Sequence, residues 1–388
     1  MSDQAADVAV VGVGAMGAMA MWQLAERGLR VVGIEQFDVG HQRGAAGGET
    51  RIFRTAYKEG REYVPLLRRA GELWGELESL TGTSLLRRTG ALTLGPQDHP
   101  EIKEVMASAE AYDLPLEVMS AGTAMQRFPQ HRMRSDEVAL LDPSGGLLRP
   151  SLAIQAAADR ALQLGARLER RRRVELVRDE GSRVRVQLEG GDAIVADRAV
   201  VCVGPWTREL LPAVGALFEV RRSVLHWFAV DAPAGFGPDR FPVGIRRSDG
   251  DSNFSFFPSI DGATIKVNLH IPKMVVPDPS NFDGTIDADY SRRVAAGIAP
   301  WLNGVAPEAT RGAGFIEGYS PDNHSLIGSP PGMPRVTALA AFSGHGFKMS
   351  PTIGELAADL ATSGMSSLPH AHMNLARFLG ETPEPADH

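Results

Sequence analysis

Residues 8–35 read VAVVGVGAMGAMAMWQLAERGLRVVGIE, and this stretch decides the fold. An apolar run enters a glycine-rich turn, a helical stretch follows, and a second apolar run closes on an acidic residue. Gly12 permits a tight turn, Gly14 lets the backbone approach a pyrophosphate, and Gly17 lets the helix pack closely on the strand. The stretch predicts a βαβ unit whose unpaired N–H groups, at the helix start, face the phosphates of a dinucleotide.

Two further features narrow the choice of dinucleotide. Glu35, at the tip of the second strand, is placed to accept hydrogen bonds from ribose hydroxyls, so FAD or NAD fits and a 2′-phosphate is repelled. Near the end of the chain, an apolar run over 336–342, a glycine-rich turn over 343–348 and Ser350-Pro351 predict a second strand–turn–helix unit. Two helix N-termini favour FAD, because the second can stabilise negative charge on the reduced isoalloxazine ring. Considered alone, this second motif is explained equally well as a strand–turn–helix connection that has no role in cofactor binding.

Composition argues against several classes of partner. The chain has 388 residues, 43% hydrophobic content and a net charge of −7, which suits two domains that share a substantial core. The net negative charge argues against binding to nucleic acid or to an anionic membrane, and the one basic run, Arg170–Arg173, is expected to be a solvated edge. No apolar run reaches the roughly 20 residues that span a bilayer, and we expect a cytoplasmic monomer without a signal peptide. The single Cys202 is expected to be a buried inert thiol, and the histidines lack the spacing of a metal site.

The pattern along the chain predicts an α/β fold, in which a Rossmann-type FAD-binding domain carries an inserted antiparallel-sheet substrate domain. We assign residues 1–85, 147–217 and 311–388 to a discontinuous FAD-binding domain, because strand–helix alternation resumes after each interruption. Residues 86–146 and 218–310 are assigned to the substrate domain. Strands there alternate with tight turns, which is typical of an antiparallel sheet.

One segment of the inserted sheet carries candidate chemistry. Residues 265–270 read IKVNLH, and a period of two puts Lys266, Asn268 and His270 on one face and the aliphatic residues on the other. A half-exposed strand with its polar side in water explains this segment in isolation. Above a flavin, Lys266 would supply positive charge for superoxide, and His270 could hydrogen-bond the substrate.

Together these residues resemble the monomeric sarcosine oxidase and N-methyltryptophan oxidase group of the D-amino acid oxidase superfamily. The resemblance covers nearly the whole chain and is carried by Gly12–Gly17, Gly48–Arg54, Gly60–Pro65, Phe257–Ser259 with Lys266 and His270, and Phe342–Lys348. It implies a two-domain FAD oxidase with the substrate between the flavin and the antiparallel sheet. It further implies that Arg54 and Lys348 hold a substrate carboxylate, Arg51 lies against the flavin, and Lys266 promotes reaction with oxygen.

The departures from the family pattern are also informative. The resemblance places Phe315 where the group attaches FAD through a cysteine, so we expect noncovalent FAD. Ala46 and Gly47 replace a pair of histidines. Ser255 and Glu317 replace two tyrosines of the substrate pocket, which enlarges the pocket and offers Glu317 as an anchor for a cationic group. Alternatively, Ser255 faces water and Glu317 forms a structural ion pair.

The predicted site follows from the motifs and from the resemblance. Arg51, Lys266 and His270 are the expected catalytic residues, and the expected substrate contacts are Arg54, Lys348, Ser255 and Glu317. The expected cofactor contacts are Gly12, Gly14, Ala15, Met16, Gly17, Glu35, Arg43, Thr50, Arg51, Val174, Gly204, Trp206, Gly344, His345, Gly346, Phe347 and Lys348.

The predicted reaction is FAD-dependent oxidation of a secondary N-alkyl amino acid larger than sarcosine. The resulting imine is hydrolysed to an aldehyde and an amine, and molecular oxygen is reduced to hydrogen peroxide. A fructosyl-amino acid oxidase or a carrier-dependent amino acid dehydrogenase has the same framework. A third alternative is a non-catalytic flavin-binding subunit.

Overall fold

The computed structural model describes residues 6–248, 250 and 252–379. Over these residues the strands, in chain order, are β1 (Ala6–Val11), β2 (Val31–Glu35), β3 (Arg51–Phe53), β4 (Leu86–Arg87), β5 (Ala91–Pro96), β6 (Glu117–Ser120), β7 (Glu137–Asp142), β8 (Gly146–Leu148), β9 (Arg167–Arg170), β10 (Val174–Asp179), β11 (Val184–Leu188), β12 (Ala193–Val201), β13 (Glu219–Val230), β14 (Val243–Arg246), β15 (Phe254–Phe257), β16 (Thr264–Leu269), β17 (Val305–Tyr319), β18 (Leu326–Gly328) and β19 (Val336–Ala340). The α-helices are α1 (Ala15–Glu26), α2 (Val64–Thr81), α3 (Pro100–Ala111), α4 (Ala121–Arg127), α5 (Pro150–Gln163), α6 (Thr207–Leu210), α7 (Pro212–Gly215), α8 (Ala288–Ile298) and α9 (Ser350–Ser363).

The amino-terminal βαβ unit lies at the centre of the first large sheet. This eight-stranded sheet has the order β10-β11-β12-β1-β2-β9, and β19 extends it by pairing with β12 and with β18. Strand β1 pairs in parallel with both β2 and β12. It is apolar on both faces because both are covered: Val8 and Val10 pack with residues of α1, α5 and α9, whereas Ala9 and Val11 belong to the core on the opposite face.

The glycine-rich turn after β1 has the geometry that its sequence predicts. Gly12 has a φ of +87°, in the left-handed region that glycine adopts without strain. A Cβ on Gly17 would lie 1.8 Å from the carbonyl oxygen of Gly12, so only glycine allows α1 to start this close to the strand. A Cβ on Gly14 would meet no atom within 4 Å, so this position opens into free space.

The second large sheet is mostly antiparallel. Its eight strands have the order β17-β13-β16-β15-β14-β5-β7-β6, and within this order only β14 and β5 pair in parallel. One face packs on α4 and α8, and Ile265, Val267 and Leu269 of β16 belong to that core. The alternate residues of β16 therefore face the other way, towards the first sheet. The predicted fold class, an α/β cofactor fold with an antiparallel sheet, is confirmed.

The predicted domain limits stay a prediction. The limit at residue 311 falls inside β17, which pairs with β13 of the second sheet up to Tyr319. A third, small sheet joins β3, β8 and β4, which the prediction assigns to different domains. Residues 1–5 and 380–388 of the predicted FAD-binding domain lie outside the described residues. Across the described part of the chain, no helix is both long and apolar enough to cross a membrane. The cytoplasmic location and the monomeric state stay predictions.

We predict opposite outcomes for alanine at two glycines of the turn. Gly17→Ala should destabilise the protein by about 2 kcal/mol or more, because overpacking against the Gly12 carbonyl outweighs the roughly 1 kcal/mol that alanine gains in a helix. Gly14→Ala is the matched control and should leave the melting temperature of the cofactor-free protein unchanged. Thermal unfolding followed by circular dichroism measures both. Equal melting temperatures for Gly17→Ala and the unmodified protein would contradict the packing account.

Candidate active site

A cavity of about 490 Å³ is lined by residues of both large sheets. At one end lie the glycine-rich turn and the end of β2, and at the other lie β15, β16 and the loop before α9. The lining includes most of the residues that the sequence predicts to contact cofactor: Gly12, Gly14, Ala15, Met16, Glu35, Arg51, Val174, Gly204, Trp206, Gly344, His345, Gly346, Phe347 and Lys348. Three predicted cofactor contacts do not line the cavity: Gly17, Arg43 and Thr50.

These three residues have other neighbours. Gly17 lies against the Gly12 carbonyl, inside the turn. The guanidinium carbon of Arg43 lies 4.8 Å from the centroid of the Phe37 ring. The side chain of Thr50 is buried, and its carbonyl oxygen accepts hydrogen bonds from cations of the site.

The nucleotide end of the cavity fits FAD. The N-terminus of α1 opens onto it at Gly14, where a Cβ would occupy the free space into which a phosphate fits. The buried carboxylate of Glu35 accepts hydrogen bonds from the backbone N–H groups of Val13, at 2.8 Å, and Phe37, at 2.9 Å. These bonds fix the carboxylate at the cavity wall, where its remaining lone pairs can accept from ribose hydroxyls.

Lys266 and Arg51 fix the loop that precedes β3. The ammonium of Lys266 donates to the carbonyls of Gly48, at 2.8 Å, and Thr50, at 2.6 Å, and lies 3.8 Å from the centroid of the Phe257 ring. Arg51 donates to three backbone carbonyls of the same loop, those of Ala45, Gly47 and Thr50. Burial, followed by the nearby Arg51, holds the pKa of Lys266 well below its ordinary value.

Arg54 is buried with part of its guanidinium unused. Its Nη2 donates to Glu59, with a closest distance of 3.1 Å, and its exposed fraction is 3%. Its Nε and Nη1 are buried and have no hydrogen-bond partner among the described residues. Because buried N–H groups are normally satisfied, these nitrogens indicate that a ligand supplies the missing acceptors.

Lys348 lies beside Arg54 and is held by Tyr57 and His345. Its Nζ donates to the Tyr57 hydroxyl at 3.2 Å and to the His345 carbonyl at 3.1 Å. The Nε2 of His345 lies 2.9 Å from the Asn323 carbonyl, which only accepts, so Nδ1 accepts from Tyr57 at 3.0 Å. Burial lowers the pKa of Lys348 to about 7, with nearby Glu59 opposing the shift.

His270 is a neutral member of the site. Its Nδ1 accepts from a guanidinium nitrogen of Arg247 at 2.7 Å, because arginine only donates. Its Nε2 therefore carries the proton and donates to the Ser255 hydroxyl at 2.9 Å. Burial and then the neighbouring cations, Arg247 first, hold the pKa of His270 well below its ordinary value.

The two positions that replace tyrosines both line the cavity. Ser255 is buried and bonded to His270, so the alternative in which it faces bulk water is wrong. Glu317 accepts a hydrogen bond from the backbone N–H of Gly344 at 2.9 Å. The role of Glu317 as an anchor for a cationic group stays a prediction.

Phe315 occupies the space beside the loop that holds Arg51. Its ring packs with Leu225 and Trp227. A Cβ on Gly47 would lie 2.1 Å from that ring, so the glycine at 47 and the phenylalanine at 315 depend on each other. These are two of the positions at which the chain departs from the family pattern, and they touch in space.

Sequence reasoning missed seven charged residues of the cavity wall: Lys58, Glu59, Arg172, Arg173, Glu209, Arg247 and Lys273. Lys58 and Glu59 lie in the loop after β3, only a few residues from Arg54. Arg247 directly follows β14, and the ammonium of Lys273 donates to the Tyr319 hydroxyl. Proximity to Arg54 is the one signal that pointed to Lys58 and Glu59. No motif marks Arg247 or Lys273.

The fold and the cavity define an oxidoreductase that works with a bound dinucleotide cofactor. The chain belongs to the DAO family of FAD dependent oxidoreductases, which matches residues 7–360. The cofactor of this family is FAD, in agreement with the fit of the nucleotide end.

Curated relatives agree over most of the chain. A monomeric sarcosine oxidase of Streptomyces avermitilis is 35% identical over 369 residues, which cover 94% of this chain and 95% of the relative. A monomeric sarcosine oxidase of a Bacillus species is 31% identical, covering 92% of each chain. An N-methyl-L-tryptophan oxidase of Salmonella dublin is 29% identical, covering 96% of this chain and 99% of the relative. The resemblance inferred from the motifs is confirmed.

Solved structures show the same fold at lower identity. NikD, described as an unusual amino acid oxidase essential for nikkomycin biosynthesis, has a TM-score of 0.85 at 23% identity and covers 95% of this chain and 97% of its own. An L-proline dehydrogenase from P. horikoshii has a TM-score of 0.82 at 22% identity. The match covers 98% of this chain and 99% of the dehydrogenase chain.

The pKa of Lys348 predicts a pH dependence of carboxylate binding. A bound carboxylate stabilises protonated Lys348, so affinity should be highest below pH 7, the approximate pKa in the free protein. Above that pH the affinity should fall by up to about tenfold per pH unit, until the Lys348 pKa of the complex is passed. Calorimetric titration of FAD-loaded protein with butyrate measures this, because butyrate carries no amine.

The matched variants are Lys348→Met and Lys103→Met, the latter on the exposed face of α3. Lys348→Met should bind butyrate about tenfold or more weakly and lose the pH dependence, whereas Lys103→Met should match the unmodified protein. A pH dependence that survives in Lys348→Met would assign the titration to another group.

Proposed function

We propose that the protein is an FAD-dependent oxidase of secondary N-alkyl amino acids whose substrate is larger than sarcosine. The reaction yields an imine, which water hydrolyses to an aldehyde and an amine, while oxygen is reduced to hydrogen peroxide. Support comes from the family, and from relatives named for sarcosine and N-methyl-L-tryptophan. The larger substrate is supported by Ser255 and Glu317, which stand where the family pattern has tyrosines.

The observation that carries the proposal is the unused guanidinium of Arg54. Two of its buried nitrogens lack acceptors among the described residues, and the Lys348 ammonium lies in the same cavity wall. A substrate carboxylate supplies acceptors to both cations, and its own burial requires such charged donors. Arg54 and Lys348 thereby place the amine end of an amino acid within the cavity.

The charge of the site also prepares the amine for oxidation. The protonated form of a secondary amine must lose one proton, which frees the nitrogen lone pair, before a hydride equivalent leaves the adjacent carbon. Cations around the cavity, among them Arg51 and Lys273, lower the pKa of a bound ammonium group, which favours the neutral amine. His270 has both ring nitrogens occupied, so we assign it to positioning Ser255 and not to proton abstraction.

The chain supplies a binding site for FAD at the opposite wall. Gly14 and Ala15 would hold the pyrophosphate, Glu35 the ribose, and Arg51 and Lys266 would place positive charge near the ring. When bound, FAD accepts the hydride equivalent and passes the electrons to oxygen. We propose noncovalent binding, because Phe315 carries no thiol and its ring fills the space beside Gly47.

The proposed activity is tested by mixing the yellow FAD-loaded protein, without oxygen, with a panel of N-methyl amino acids. Loss of the visible flavin absorbance followed by peroxide formation on addition of air is the expected result. Reduction of a dye with no peroxide would assign a carrier-dependent dehydrogenase instead. Reduction by glycated amino acids alone would assign a fructosyl-amino acid oxidase. Absence of reduction by any member would leave a flavin-binding subunit.

Noncovalent binding gives a direct prediction. Acid precipitation of the holoprotein should release all flavin into the supernatant, because no side chain at position 315 can form a thioether. Absorbance of the supernatant and of the redissolved pellet measures the two fractions. Yellow colour that stays with the washed pellet would show a covalent bond elsewhere.

The role of Lys266 is tested by Lys266→Met. We expect flavin reduction by substrate to change little, and reoxidation of the reduced protein by oxygen to slow by about 10²-fold, because a buried positive charge that stabilises superoxide is lost. Stopped-flow absorbance measures the two half-reactions separately, with Lys103→Met as the control. Equal slowing of both half-reactions would indicate that Lys266 acts only by holding the loop at Gly48 and Thr50.

A further inference from the structure

Five charged side chains form a continuous row beside the cavity, and all of them except Glu101 line its wall. We call this row the ion chain: Arg54, Glu59, Lys58, Glu101 and Arg247. Arg54 pairs with Glu59 at 3.1 Å, Lys58 lies 3.2 Å from both Glu59 and Glu101, and Arg247 donates to Glu101. Positive and negative charges alternate along the row, and an arginine stands at each end.

The two ends of the ion chain are its most buried members. The side chain of Arg54 is 4% exposed and that of Arg247 is 7% exposed, whereas Glu101 between them is 32% exposed. A guanidinium is a planar fork that matches a carboxylate, so each end has the chemistry of a carboxylate site. The first end is the one that we assign to the α-carboxylate.

Positive charge exceeds negative charge in this wall even after one carboxylate binds. The ion chain has one more cation than carboxylate, and Lys348 adds another beside Arg54. An amino acid with a neutral side chain and a neutral amine compensates one of these charges. One buried charge is left over, which is costly in a site that excludes water.

Several of the cations that make up this excess positive charge lie near the Arg247 end of the ion chain. Burial lowers the pKa of His270, and four nearby cations, Arg247, Lys273, Lys58 and Arg54, lower it further. One guanidinium nitrogen of Arg247 binds His270, and its Nη2 has no hydrogen-bond partner among the described residues. Ser255 and Asn268 line the same part of the wall and add polar groups.

We propose that the Arg247 end of the ion chain binds a second carboxylate, located on the side chain of the substrate. The preferred substrates are then N-alkyl derivatives of amino dicarboxylic acids, held by a guanidinium at each end. This inference rests on the proposed function and names the substrate class of the same site. It differs from a cationic substrate at Glu317, whose charge is already near Arg51, Lys273 and Lys348.

Binding of simple acids tests the subsite without any reaction. Succinate and butyrate have the same number of carbons, and only succinate has a second carboxylate. Calorimetric titration of the FAD-loaded protein should give a dissociation constant for succinate about tenfold or more below that for butyrate, which corresponds to roughly 1.4 kcal/mol. Equal dissociation constants would overturn the proposal.

Variants at position 247 test whether Arg247 is the residue that makes succinate bind more tightly than butyrate. Arg247→Gln should remove the preference for succinate and leave butyrate binding within about twofold, whereas Arg247→Lys should retain part of the preference because the charge remains. Arg127→Gln, which breaks an exposed ion pair with Glu117, is the matched control and should behave as the unmodified protein. Equal weakening of both acids in Arg247→Gln would show a structural role only.

Anaerobic flavin reduction separates the subsite from the proposed function. N-methylaspartate and N-methylglutamate, in either configuration, should reduce the flavin at lower concentrations than N-methylalanine or N-methylleucine. If the neutral compounds reduce the flavin equally well and succinate binds no more tightly than butyrate, the subsite is disproved and the oxidase function is retained. If no amine reduces it but succinate binding depends on Arg247, the oxidase function falls and the subsite stands.

Discussion

Burial of positive charge without matching carboxylates is the constraint on which the site depends. Lys266 and Arg51 are satisfied by backbone carbonyls and not by anions, and Arg54 retains nitrogens with no acceptor among the described residues. Such groups are costly unless a ligand completes them. The protein therefore holds a cavity whose walls carry excess positive charge, which suits the phosphates of FAD at one wall and the acidic substrate that we propose at the other.

Both large sheets contribute residues that hold these charges in place. The first sheet supplies the glycine-rich turn, Glu35 and the loop before β3, while β16 of the second sheet supplies Lys266, which reaches across to that loop. The bonds from Lys266 to Gly48 and Thr50 thus connect the second sheet to the loop before β3 at the cavity wall. The side chain for which we propose a role in reaction with oxygen thus also fixes the geometry of the site.

Local pattern in the sequence was sufficient for the parts of the fold that depend on neighbouring residues. The turn at Gly12, the packing at Gly17 and the two faces of β16 follow from backbone geometry and from a period of two. The pairing of Arg54 with Lys348 came from the family resemblance and not from local pattern, and both residues line the cavity. Contacts between distant segments had no such signal: a residue pair such as Arg247 and Glu101, or Gly47 and Phe315, meets only through the tertiary fold. An arginine after a strand is equally typical of an exposed edge, so Arg247 could not be distinguished before the structure.

The midpoint potential of bound FAD, compared with free FAD in the same buffer, tests the central claim most directly. Buried cations stabilise the added negative charge of the reduced ring, so the account predicts a higher potential in the protein than in solution. A potential equal to or below that of free FAD would contradict it, because the cations would then be compensated by groups other than the cofactor and the substrate.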